Sequence, residues 1–75
     1  MKWIEQSETL FHFENKNVIL TGHRAQLGTI WYAQIKIKKG NKTIQLPMNF
    51  ETKEACKEGL ISFAKIILKW IRENE

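Results

Sequence analysis

The sequence predicts an α+β fold: a small antiparallel sheet, a meander of about four strands in the order β-β-β-β-α, with one long C-terminal helix packed on one face. Three observations carry this. The stretch IKIKKGNKTIQL, residues 35–46, alternates apolar and polar residues on both sides of a Gly-Asn pair, the pattern of a hairpin with one buried face. From Thr52 onward the apolar residues recur at helical instead of strand spacing. The apolar arc of that helical segment is wider than one small sheet can cover, so either the Trp3-Ile4 segment or a second copy covers the surplus, and a homodimer joined at least partly through the helix is the expectation.

Taken in order, residues 1–8 include Trp3 and Ile4 and read as an arm or cap on a single domain whose sheet spans 9–50 and whose helix spans 52–73. Thr9 to Phe13 and Asn17 to Thr21 are rich in β-branched and aromatic residues and read as two short strands, with Phe11 and Phe13 directed to the core. The segment from Gly22 to Gly28, GHRAQLG, connects them to the long hairpin.

A two-residue loop at Gly40-Asn41 places Lys39 opposite Lys42. Ile37 then faces Ile44, Ile35 faces Leu46, Ala33 faces Met48 and Trp31 faces Phe50, all on one side. The other side pairs Lys38 with Thr43, Lys36 with Gln45, Gln34 with Pro47 and Tyr32 with Asn49. Proline cannot donate to a ladder, so the strand holding Pro47 is expected at the sheet edge.

Thr52 is the expected N-cap, with Glu54 in the first turn and Lys69 and Arg72 in the last. A helix over 53–73 is about 30 Å long. Cys56, Leu60, Phe63, Ile67, Trp70 and Ile71 share its core side, and Ile61, Ala64, Ile66 and Leu68 widen the arc to about 220°, where about 100° suffices for a helix on one sheet. Ile61, Ile66 and Leu68 are the expected dimer seam. Seventy-five residues bury too little surface for comfort, which a dimer would also relieve.

Composition excludes more than it selects. A lone cysteine, Cys56, argues against a disulfide-stapled scaffold and for a reducing compartment, and Glu5 and Glu8 interrupt any N-terminal apolar run. A cytoplasmic protein without a membrane span is the expectation. Nothing spells an enzyme, a metal site or a cofactor site: His12, His23 and Cys56 are the whole His/Cys inventory, and Cys56 falls on the core side of the helix. GHRAQLG matches neither phosphate-binding fingerprint.

Charge placement says more. The net charge is +4, yet Lys16, Arg24, Lys36, Lys38, Lys39 and Lys42 stand between Asn15 and Phe50 with no acid among them. Lysine also guards solvated strands near an edge against aggregation. A merely solvated face usually mixes signs, so the acid-free run favours an anionic partner. Candidate nucleic-acid contacts are Arg24, Lys36, Lys38, Lys39 and Lys42 to phosphate, Tyr32 to stack, and Gln34 and Gln45 to hydrogen-bond. A protein partner, acidic or docked along the helix or edge strand, is the alternative. The inferred order of elements resembles that of Whirly-type single-strand binders, and its last part resembles integrase arm-binding modules. The resemblance is one of architecture, carries no motif and transfers no residue.

Overall fold

A computed structural model describes residues 2–73, with side chains through residue 69. Five strands, β1 (Ile4–Ser7), β2 (Leu10–Glu14), β3 (Val18–Arg24), β4 (Trp31–Ile37) and β5 (Lys42–Gln45), precede one helix, α1 (Lys53–Glu73). The strands form one antiparallel sheet in the order β1-β2-β3-β4-β5, and α1 packs across β3 and β4. The α+β meander is as expected, with five strands instead of four.

The additional strand is the expected N-terminal arm. Its polar sequence IEQS hides the alternation that marks a strand. Pairing with β2 makes it one: Ile4 opposes His12, Glu5 opposes Phe11, and a bulge at Gln6 shifts the register so that Ser7 meets Leu10. Trp3, just before it, still caps the core, with its ring edge-on to Phe11 at 5.1 Å and beside Phe13 at 6.2 Å.

The hairpin register differs from expectation by two residues. Its loop is four residues long, Lys38 to Asn41, closed by the Asn41 N–H donating to the Lys38 carbonyl at 3.1 Å. Gly40 takes φ 80°, as the third position of a type II turn requires, and Asn41 follows at φ 52°. Ile35 therefore pairs with Ile44, Lys36 with Thr43 and Gln34 with Gln45. In this register the Leu46 N–H donates to the Ala33 carbonyl at 3.0 Å and the leucine is 4 % exposed, whereas Met48, expected to face Ala33, is 43 % exposed. A two-residue shift leaves every side chain on its face, so pattern alone could not detect it. Residues 47–49 absorb the difference, and Trp31 meets Phe50 as expected. Pro47 lies just past β5, which is an edge strand as proline requires.

The core lies between sheet and helix. Phe11, Val18, Leu20, Ile35, Cys56 and Leu60 are fully buried. Two glycines let aromatic rings approach the backbone closely. A Cβ on Gly22 would stand 2.1 Å from Phe11 Cζ, and one on Gly59 would stand 2.4 Å from Phe50 Cζ. The helix starts where expected: Thr52 Oγ1 accepts the Ala55 N–H at 3.1 Å. Lys53 and Lys57 both reach Glu5 of β1, at 3.7 and 3.0 Å, tying the helix to the far edge.

Among the described side chains, much of the apolar arc of α1 is covered within one chain. Trp3 and Phe13 flank the core on one side, Ile44 and Phe50 on the other, and Phe63, Ile67 and Leu68 pack against it. Of the expected dimer seam, Leu68 packs inward, Ile61 is half-buried and Ile66 is 65 % exposed. The expected core positions Trp70 and Ile71, and Arg72 of the last turn, lie outside the described side chains.

Candidate functional site

Among the described residues no helix lies on the second face of the sheet, and its side chains follow from strand alternation. Because Phe11, Leu20, Ala33 and Ile35 turn toward α1, their sequence neighbours point the other way. The register sorts them into three cross-strand rows. Leu10, His23 and Tyr32 form one; Ile4, His12, Thr21, Gln34 and Gln45 form the second; Glu14, Ile19, Lys36 and Thr43 form the third.

Contacts within these rows give the face its chemistry. His23 and Tyr32 stack, with ring centroids 5.5 Å apart and planes 29° from parallel. His12 Nδ1 lies 2.9 Å from Gln6 Oε1, so the β1 bulge carries a partner for the imidazole. Lys38 reaches across β3 to Glu14 at 2.5 Å. The Lys38 hydrogen bond, and then its charge, hold the Glu14 carboxyl below the usual carboxylate range.

Tyr32, Gln34, Lys36 and Gln45 thus share this face, and Lys38 joins them through Glu14. Lys39 sits in the hairpin turn. Lys42 pairs with Ile37 and so belongs to the helix-facing side of β5, at its solvent-exposed end. The acid-free stretch of sequence does not make an acid-free surface: the meander carries Glu14, from outside that stretch, to Lys38.

Arg24 is placed elsewhere. The strand β3 runs on through Gly22 and His23, which the sequence reading gave to a loop, and puts Arg24 in register with Trp31 on the helix-facing side. Its guanidinium lies 5.4 Å from the Trp31 ring. It donates to the carbonyls of Gly28 (2.8 Å), Ala25 (3.2 Å), Gln26 (3.3 Å) and Glu8 (3.5 Å). Arg24 shapes the β3–β4 loop and is not part of the open face.

Sequence reasoning missed His12 and His23 as members of this face. The signal for His12 was present, since a residue between two core phenylalanines must point outward. For His23 it was masked by the loop assignment.

Other reactive groups stay apart from the face. Cys56 is fully buried with Sγ 3.8 Å from the Tyr32 carbonyl, and burial pushes its thiol up to about 11. At neutral pH it is a protonated, small apolar side chain. Among the described residues, no three His, Cys, Asp or Glu side chains gather to hold a metal ion. No described helix is long and apolar enough to cross a membrane. No protein family, curated protein or solved structure matches the chain, so the resemblance to single-strand binders rests on element order alone.

Proposed function

We propose that this protein binds nucleic acid through the open face of its sheet. One observation carries the reading: Tyr32, Gln34, Lys36, Thr43 and Gln45 stand side by side on the sheet face opposite α1, half-buried or exposed. Amides and hydroxyls can hydrogen-bond to sugar, phosphate or base edges, and Lys36 and Lys38 supply the charge that neutralises phosphate. Fluorescence anisotropy of labelled oligonucleotides at about 50 and 200 mM salt tests it, because phosphate contacts make affinity fall steeply with salt. The double change Lys36→Glu, Lys38→Glu is expected to abolish binding while leaving the circular dichroism spectrum unchanged. Binding that ignores both salt and the charge reversal would refute the reading.

A second reading, a protein-binding module, is favoured by Leu27. It is 99 % exposed at the tip of the loop that Arg24 holds through three carbonyls, so an apolar side chain is presented on a fixed backbone. Leu27→Asp would then remove activity where the lysine reversals do not. Light scattering separates self-association through Ile66 from docking of a different protein.

A further inference from the structure

The nucleic-acid reading leaves open whether the ligand is a duplex or a single strand, and the sheet geometry bears on that choice. A basic two-stranded ribbon enters a major groove about 12 Å wide only if its flanks are clear. Here they are not. The strand β4 is paired with β3 along its whole length, from Arg24↔Trp31 to Val18↔Ile37, and the Lys38 N–H continues the ladder to the Asn17 carbonyl. Past that bond, only Lys39, Gly40 and Asn41 of the hairpin project beyond the ladder. Five strands at about 4.8 Å spacing are about 19 Å across, too broad for the groove.

What the open face offers instead is a platform. The stacked His23 and Tyr32 lie in one row, the amides of Gln34 and Gln45 in the next, and Lys36 in the third. Rings, then amides, then a cation, stepping along the strands, match a base, its polar edge and a phosphate. Unpaired bases have free π-faces to stack; bases within a duplex do not. Resting on the nucleic-acid reading, we infer that the ligand is single-stranded and that its bases, as well as its phosphates, are recognised at the His23–Tyr32 pair.

The experiment compares four labelled probes of 12 nucleotides: single-stranded DNA, single-stranded RNA of the same sequence, the blunt DNA duplex, and an abasic single strand with the same phosphates. At low salt, at least one intact single strand is expected to bind about tenfold tighter than the duplex and the abasic strand. Tyr32→Leu, which keeps an apolar side chain of similar bulk, is expected to lower the intact strand to the abasic level. Tyr32→Phe, which keeps the ring, is expected to retain binding. Equal binding of all probes, or of the duplex and the single strands, overturns the inference while leaving a phosphate-binding face in place. Unaltered binding by Tyr32→Leu overturns the role of the ring pair. No binding of any probe removes the nucleic-acid reading and this inference with it.

Discussion

The two faces of the sheet are made from alternate residues of the same strands, yet they do different work. Toward α1, β4 presents Trp31, Ala33, Ile35 and Ile37, each less than a tenth exposed. Away from it, Tyr32, Gln34 and Lys36 of the same strand are only half-covered and meet histidine, threonine and glutamine from the neighbouring strands. Substitutions on the helix side should therefore change stability, and those on the open side should change binding. The difference also accounts for Arg24 and Lys36. Both are cations within one charged stretch of sequence, but the strand parity of Arg24 sends it to the helix side, where it fixes a loop.

The comparison can be broken at several points, beginning with the core. Phe11→Ala removes a fully buried ring from between Trp3 and Trp31. It should cost about 3–5 kcal/mol, enough to unfold most of a population this small and marginal. Urea denaturation followed by tryptophan fluorescence measures it. An open-face truncation of similar size, such as Tyr32→Ala, that cost as much would erase the division between the faces.

Gly22→Ala comes next, because its new Cβ would overlap the Phe11 ring. A loss of about 1–3 kcal/mol is expected. Combining it with Phe11→Leu should cost less than the sum of the two single changes, since the smaller side chain vacates the contact. Strict additivity in a double-mutant cycle would show that the ring and the glycine are not coupled.

Thr52→Ala removes the helix cap without touching either face and should cost about 1 kcal/mol, visible as a lower denaturation midpoint with an unchanged urea slope. Retention of full stability would mean that packing of α1 on the sheet holds its first turn unaided.

The smallest effect belongs to the open face. Lys38→Ala should leave stability almost unchanged, as exposed ion pairs do, while the Glu14 carboxyl titrates higher in carbon-detected NMR. The sign is fixed by the direction of the shift. Lys38 lowers the Glu14 value in the folded state, so the stabilisation is present above the ordinary carboxylate range and is lost as pH falls through the lowered value. Glu14→Gln would release Lys38 and should tighten oligonucleotide binding modestly; weakened binding would place the carboxylate among the ligand contacts.

Much of this arrangement was legible in the residues. Thr52 and the change of period located the helix, and Pro47 located an edge. Alternation assigned the faces of the hairpin correctly as far as Leu46 even though its register was two residues out, because side-chain direction repeats every second residue; Met48, expected in the core, lies past β5 and is exposed. What alternation cannot count is loop length. The four-residue turn is closed by the Asn41 N–H on the Lys38 carbonyl, and residues 47–49 take up the difference before Phe50 meets Trp31. The polar strand β1 carried too little pattern to be read alone. It is a strand because β2 offers it an edge and because Glu5 meets Lys53 and Lys57 from the helix.

The sequence by itself determined the fold class, the helix and its cap, and which side chains of the hairpin face the core as far as Leu46, because these depend on local spacing and on the chemistry of neighbouring residues. Tertiary structure decided the rest. It paired Glu14 with Lys38, stacked His23 on Tyr32, turned Arg24 into a loop clamp and closed much of the wide helix face with Trp3 and Phe50. Each of these joins residues separated along the chain, and only the meander brings them within the few ångströms over which hydrogen bonds, ring contacts and packing act.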